Sequence, residues 1–340
     1  MAKSDTRKSS KRIATFDIAK GIGILAVIVG HMSNIGFVHW IVFSFHMPLF
    51  FLISGYFFRP APLTVVAKKR ARQLLVPYAV TGVAIACFGA LVEIASGRAS
   101  AAPQVFLDWL ARAAFGSGTF PSYFFGIQYI GAIWFLLALY FSQVLYTLLV
   151  DKKYALPVVL ALFVLGVVTK DIIWLPWSIQ SALTCILFIH VGYRIHARKW
   201  FDPSRVPLLP FLIGSAVWVA VILIDHGRNY FASNYFENPV LDIAGGIAGT
   251  LVIMWLSIWI SHIPAISTIL QAAGRYSLVI LCAHVVELDV MPWKWVMAHL
   301  NMPLDSISGI LLLLSFKIVW AVAAVLIVRR IPLLRRIFNL

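Results

Sequence analysis

Two imidazoles stand in apolar sequence near the start of the chain. His31 closes the run Asp17-Ile-Ala-Lys20-Gly-Ile-Gly-Ile-Leu-Ala-Val-Ile-Val-Gly-His31, and His46 lies in Phe45-His46-Met47-Pro48-Leu-Phe-Phe. Ionisable groups are expensive at membrane depth, so a histidine kept there is read first as functional. A neutral imidazole in a low-dielectric cavity can accept a proton, since burial disfavours the imidazolium. Lys20 precedes His31 by about three helical turns, so the two share one helix face ~16 Å apart, as two points along one path. Asp17 is within ion-pairing reach of Lys20 on the same face. The competing reading lets Lys20 snorkel to water and leaves His31 among the headgroups. Pro48 removes a helix hydrogen bond beside His46 and predicts a kink, with a structural imidazole bonded to a neighbouring carbonyl as the alternative.

Further polar groups follow. Lys68-Lys69-Arg70-Ala71-Arg72 stands just before Leu-Leu-Val-Pro77-Tyr78. Such a cluster is either a topology signal or a clamp for the phosphates of a nucleotide-bearing donor. His284 and Glu287 share a helix face, which suits a substrate cavity or a helix-packing hydrogen bond. Asp242 opens a helix and reads as a cap. Aromatic residues crowd the stretches between spans: Phe120, Tyr123, Phe124, Phe125, Trp174, Trp177 and the run Asn229–Asn238 with Asn234 and Tyr235. An interfacial belt explains most of them. The Asn229–Asn238 run, with amides among its rings, is the part that suits contact with a sugar ring.

The elements positioning these groups are membrane helices. The chain has 340 residues, of which 61% are hydrophobic and 12% charged, with a mean hydropathy of +0.90. A soluble domain cannot hide that much apolar surface, so the expected class is all-α and polytopic. The net charge of +15 is spread in short clusters between apolar runs, which excludes a nucleic-acid stripe as the reading. About ten segments reach spanning length, near 13–33, 37–58, 74–96, 128–150, 155–171, 177–194, 206–225, 240–261, 276–292 and 306–328. With the N-terminus inside, the cytoplasmic face holds Lys3–Arg12, Arg59–Arg72, Lys152–Lys153, Arg194–Arg205, Arg275 and Arg329–Arg336. The outer face then holds only Arg98, Arg112, Lys170, Arg228 and Lys294. The asymmetry places both termini in the cytoplasm of a cell whose inner membrane this chain crosses many times.

The basic residues before the first span resemble a signal-peptide n-region. Asp17, Lys20 and the lack of a small-residue cleavage site argue for a retained helix. Cys87, Cys185 and Cys282 lie in apolar runs without metal spacing and read as packing residues. No internal repeat appears, so residues 1–340 read as one membrane-embedded domain, with 1–12 a basic cytoplasmic tail and 97–127 an outer loop. Within that loop, 104–115 is too short to span and reads as an interfacial helix.

The runs from Asp17 to His31 and from Phe45 to Phe58 resemble the acyltransferase 3 family of integral membrane acyltransferases, most closely its fucose 4-O-acetylase-like branch. Ala132-Ile-Trp134-Phe135-Leu136 and Gly274-Arg-Tyr-Ser277-Leu-Val-Ile-Leu-Cys-Ala-His284 support the resemblance. It implies transfer of an acetyl or other short acyl group from cytoplasmic acetyl-CoA to a hydroxyl of a cell-surface carbohydrate or lipid-linked glycan, with no metal. It maps the family's Arg-x10-His motif to Lys20 and His31 and its Arg-x-x-Arg motif to Lys69 and Arg72, with Arg70 between them. Lysine replaces arginine in both, which keeps the charge but not bidentate phosphate contact. The resulting expectation has His31, as base toward the acceptor hydroxyl or as covalent acyl carrier, with Lys20 and His46 as catalytic residues, and Lys69, Arg70 and Arg72 as the acetyl-CoA site. His284, Glu287, Asn234, Tyr235 and Trp134 are expected around the acceptor. Membrane lipid is the surrounding partner, and a homodimer stays open. A proton-coupled transporter is the alternative class, since intramembrane His, Lys and Glu serve carriers too.

Overall fold

The computed structural model describes residues 2–32, 36–119, 126–226 and 230–340, with side chains from residue 14 onward. The described residues contain helices and turns but no named strand. The helices are α1 (Ala2–Gly30), α2 (Gly36–Tyr56), α3 (Leu63–Arg70), α4 (Val76–Ala95), α5 (Ala102–Phe115), α6 (Trp134–Leu149), α7 (Ala155–Val168) and α8 (Ile179–Ala197). There follow α9 (Leu208–Asp225), α10 (Pro239–Ile260), α11 (Pro264–Arg275), α12 (Ser277–Val290), α13 (Trp293–His299), α14 (Ile307–Arg330) and α15 (Pro332–Ile337). Helices dominate because only a helix satisfies all its backbone groups within one apolar segment.

Each expected span holds a helix, yet the spans differ in length and polarity. Among the described residues, six helical stretches are long and apolar enough to cross a membrane: Gly36–Tyr56, Leu63–Ala95, Gly131–Leu149, Leu208–Asp225, Pro239–Ile260 and Ile307–Arg330. A seventh appears if α11 and α12 are one bent span. The chain is thus a multi-pass, all-helical membrane protein. The α7 helix is only 14 residues long. Cys87 is exposed, unlike the buried Cys185 and Cys282, so it is not the core residue its apolar neighbours suggested.

The helices group into two compact units of interleaved sequence. The first comprises Met1–Arg59, Phe188–Tyr230 and Tyr235–Ser277; the second comprises Pro60–Leu187, Phe231–Asn234 and Leu278–Leu340.

In the first unit, glycines set how near the backbones come. A Cβ on Gly274 would strike the carbonyl of Asp17, and one on Gly21 would strike that of Leu270, so α1 and α11 touch main chain to main chain. Gly55 and Gly192 do the same for α2 and α8, against the carbonyls of Ile189 and Leu52. Small residues at such crossings are how membrane helices pack without a hydrophobic driving force. The α10 helix starts at an Asn238 cap, whose side chain accepts from Leu241 N–H at 3.3 Å. Asp242 is therefore not the cap its position suggested; it is fully buried one turn further on. Gly246 and Gly249 of α10 receive Pro48 and Phe45 of α2.

In the second unit, α3 passes into α4 through one π-helical turn, Ala71–Leu75. The α5 helix then runs back along α4. Trp109 lies against Gly89, Ala113 against Gly82, and Tyr78 Oη donates to Ala113 O at 2.6 Å. This antiparallel arm differs from the flat interfacial helix expected for 104–115. It ends at Gly116, in the left-handed conformation, and its last carbonyls are capped from a distant turn. Trp177 N–H donates to Phe115 O, Trp177 Nε1 to Ala114 O and Ser178 Oγ to Gly116 O, at 2.7, 3.0 and 2.7 Å. Those donors allow a helix end to stop beside α4 without bare carbonyls.

Replacing Gly55 or Gly192 by alanine forces α2 and α8 apart and costs about 1–3 kcal/mol. The expected outcome is a lower unfolding midpoint of the detergent-solubilised protein. Gly214→Ala, with ordinary contacts around its Cβ position, leaves the midpoint unchanged or raises it.

Candidate active site

The first unit carries His31 and His46. Lys20 Nζ lies 2.7 Å from Asp17 Oδ1, the pair expected from their spacing, with Lys20 29% and Asp17 10% exposed. The Asp17 carbonyl beneath this pair is the atom against which Gly274 packs. His31 follows the last turn of α1, half-buried, with Nδ1 2.8 Å from Val27 O. A carbonyl only accepts, so Nδ1 carries the proton and Nε2 the lone pair of the neutral ring. His46 repeats the device: it is buried, and its Nδ1 lies 2.7 Å from Val42 O. Pro48 sits inside a helix that continues through it to Tyr56.

One ring connects these imidazoles. Phe43 stacks on His39 at 3.8 Å between centroids, meets His46 edge-on at 4.9 Å, and lies 6.2 Å from His31 and 5.5 Å from Tyr230. Its edge also faces Gly30, where a Cβ would come within 3.0 Å. Phe43 thereby seats the end of α1 that presents His31. The Tyr230–Tyr235 turn, paired through both backbone groups at 2.8 and 3.2 Å, brings Tyr230 to this cluster and leaves Tyr235 exposed.

The second unit holds the basic run and a buried charge network. Lys68, Lys69 and Arg72 are exposed, while Arg70 donates to Gln73 Oε1 at 2.9 Å. Arg72 falls within the π-helical turn, so its direction differs from that of an unbroken helix; such turns are frequent at functional sites. Deeper, Glu287 is held from three sides. His284 Nδ1 lies 2.7 Å from Oε1, Trp293 Nε1 donates to Oε2 at 2.5 Å, and Lys317 Nζ reaches both oxygens at 2.6 and 2.8 Å. Lys317 also lies over the Trp293 ring at 5.4 Å. No trio of His, Cys, Asp or Glu among the described residues is placed to hold a metal ion.

A family model described as an acyltransferase domain matches residues 13–330. The chain belongs to the acyltransferase 3 family. No curated protein and no solved structure matches it. The match covers both units and gives the chain its class: it is a membrane acyltransferase.

Within this acyltransferase the expected residues fall into distinct settings. His31, Lys20 and His46 lie in the first unit, and the two histidines edge the same phenyl ring. Lys69, Arg70 and Arg72 lie in the second, two of them open to solution. Trp134 begins α6 and is buried, its indole against Gly118. Asn234 departs from the acceptor-binding expectation. It is fully buried, its Nδ2 donates to Gly166 O and its Oδ1 accepts from Thr184 Oγ1, each at 2.9 Å. Both ends of the amide are committed to packing α7 and α8. Glu287 departs similarly, because both oxygens already take donors from the protein. Of the aromatic stretches, Trp174 is buried and Trp177 caps α5, while Phe120, Tyr123, Phe124, Phe125 and Asn229 lie outside the described residues.

Sequence reading missed His39, Phe43, Trp293 and the role of Lys317. The first two had a signal: His39 and Phe43 precede His46 at helical i, i+4, i+7 spacing. Lys317 had none, since its partner is 30 residues away in sequence.

Lys317→Met leaves a buried carboxylate beside His284 and Trp293 without its cation. The loss of stability is about 3–5 kcal/mol, read as a drop in thermal midpoint. Joining it to Glu287→Gln recovers most of that loss, because the uncompensated charge goes with its partner.

Proposed function

We propose that this acyltransferase moves an acetyl group from cytoplasmic acetyl-CoA to a hydroxyl of a cell-surface carbohydrate or lipid-linked glycan. In this reading it crosses a bacterial inner membrane about ten times with both termini in the cytoplasm, and the fucose 4-O-acetylase-like branch is its nearest family setting. The observation that carries it is the His31 geometry. Its Nδ1 is tied to the Val27 carbonyl at 2.8 Å, which directs the basic Nε2 away from its own helix.

The chemistry follows from that tautomer. Nε2 takes the proton of the acceptor hydroxyl as its oxygen attacks the thioester carbonyl carbon. The C–S bond breaks, the ester forms, and CoA leaves as a thiolate that takes up a proton. Lys20, oriented by Asp17, lines the donor path on the same face of α1. His46 supports His31 through Phe43. Lys69 and Arg72, which no partner engages among the described residues, are suited to the CoA phosphates as point charges, with Arg70 held alongside by Gln73. The donor is a co-substrate whose fit rests on those two exposed cations.

His31→Ala abolishes transfer of label from acetyl-CoA, by about 10²–10⁴-fold, without loss of monodisperse folded protein. Mass spectrometry of surface polysaccharide from a strain expressing this variant lacks the acetyl mass that wild type adds. Wild-type acetylation by a correctly inserted His31→Ala protein would sink the assignment. Hydroxylamine-labile label retained on wild type but not on His31→Ala identifies His31 as an acyl carrier instead of a base. Lys69→Ala and Arg72→Ala each raise KM for acetyl-CoA a few-fold with kcat unchanged, an effect that shrinks as salt is added.

A further inference from the structure

His39 has no task in the chemistry proposed for His31, yet it stands close to that imidazole within the first unit. Gly23 meets Leu49 and Phe50, and Gly30 meets Val42 and Phe43, the same seven-residue step on each helix. The two helices therefore run antiparallel in one register. Continuing it sets His39 less than one turn, about 4 Å, beyond the level of His31. Both imidazoles border Phe43. The centroid of His39 lies 3.8 Å and that of His31 6.2 Å from the phenyl centre, so the two stand no more than about 10 Å apart, the sum of those distances. Tyr230 closes a third side, 5.9 Å from His39 and 5.5 Å from Phe43.

Four other imidazoles, of His31, His46, His262 and His299, each place Nδ1 against the carbonyl four residues earlier. His39 does not: among the described residues neither of its nitrogens makes a hydrogen bond. Its ring lies nearly flat on Phe43, 17° from parallel. A ring held flat on a phenyl face keeps its nitrogens at the rim, pointing away from that face. His39 is half-buried, so a donor and an acceptor stand at the accessible border of an aromatic patch. The surroundings choose the ligand. Phe43 and Tyr230 carry no charge, so an ion finds no counter-charge in the rings that hold His39. A hydrocarbon chain covers the rings but gives the nitrogens nothing to bond. A hydroxyl both donates and accepts, and a sugar joins several hydroxyls to apolar C–H faces that pack on aromatic rings.

We propose that His39, backed by Phe43 and Tyr230, binds a second hydroxyl of the acceptor sugar and so decides which hydroxyl reaches Nε2 of His31. This deepens the acceptor side of the proposed function and rests on that reading. On so short a span, holding one hydroxyl of a sugar ring restricts which of the others meets the base. It also gives the acceptor a polar partner other than Asn234 and Glu287, whose hydrogen-bonding groups are spent within the protein.

The test uses full-length protein in detergent micelles, with the methyl glycosides of glucose, galactose, mannose and fucose as probes. Saturation-transfer NMR reads binding, labelled acetyl-CoA reads transfer, and NMR of the product reads which hydroxyl is acetylated. Wild type binds at least one glycoside saturably and acetylates it chiefly at one hydroxyl. His39→Phe keeps an aromatic ring on Phe43 and removes only the nitrogens. It weakens glycoside binding roughly fivefold, as loss of one hydrogen bond requires. It leaves KM for acetyl-CoA unchanged and spreads the acetyl group over more than one hydroxyl. His31→Ala binds the glycoside as wild type does and transfers nothing. Should His39→Phe not elute as monodisperse protein, His39→Leu carries the same comparison. A role in packing alone leaves both readouts where they were, so unchanged binding or an unchanged site of acetylation in the folded variant overturns the proposal. It is equally overturned if wild type binds none of the four glycosides. Binding that depends on His39, with no label passing from acetyl-CoA to the glycoside in wild type, leaves the sugar site standing and removes the acetyl-transfer reading.

Discussion

The hydrocarbon core of a bilayer offers no water, so every polar group there must find its partner within the chain. That constraint explains most of the polar detail in this acyltransferase. His31, His46 and His262 each spend Nδ1 on the carbonyl four residues earlier, at 2.7–2.8 Å. The bond costs no extra element, because the helix itself supplies the acceptor one turn below. It fixes the tautomer in the same stroke. An imidazole placed this way has its second nitrogen turned from its own helix backbone, the orientation that the proposed base requires.

The same constraint makes glycine a positioning residue. For α1 to hold Asp17 and Lys20 at one level, something must fix its depth and rotation. The contact of Gly274 and Gly21 with opposing carbonyls does so at the main chain, where no rotamer change can relax it. Phe43 performs the matching task at the other end of α1, by resting on Gly30 and touching the imidazoles around it. A helix pinned near both ends presents Lys20 and His31 in fixed relation, which is what the proposed mechanism asks of its packing.

How much of this was legible in the sequence follows from the range of each interaction. The helices were legible because hydropathy is a local property, and the Asp17–Lys20 pair because both residues share one turn. The resemblance carried by Asp17–His31 and Phe45–Phe58 led to the family. The course of α5 was not legible: its length allowed an interfacial helix, and what decides otherwise is Gly82 and Gly89 on α4 and the Trp177–Ser178 turn that caps it. Asn234 looked like a sugar ligand because amides among aromatics suit sugars. Its true partners, Gly166 and Thr184, are 68 and 50 residues away. Lys317 stood alone in an apolar run, where only its distance from Glu287 in three dimensions gives it a meaning. Asn234, Lys317 and the α5 arm thus share one feature, a decisive partner far off along the chain.

The second unit applies the same constraint to charge. Glu287 on α12 is closed: an ammonium, an imidazole and an indole take up its oxygens, so removing any one partner exposes the rest to an apolar interior. Its partners come from α12 itself, from α13 and from α14, so one carboxylate ties three helices together. A buried charge that needs all its donors in place makes the packing of those helices specific, because a shift of any one of them leaves a polar atom without a partner.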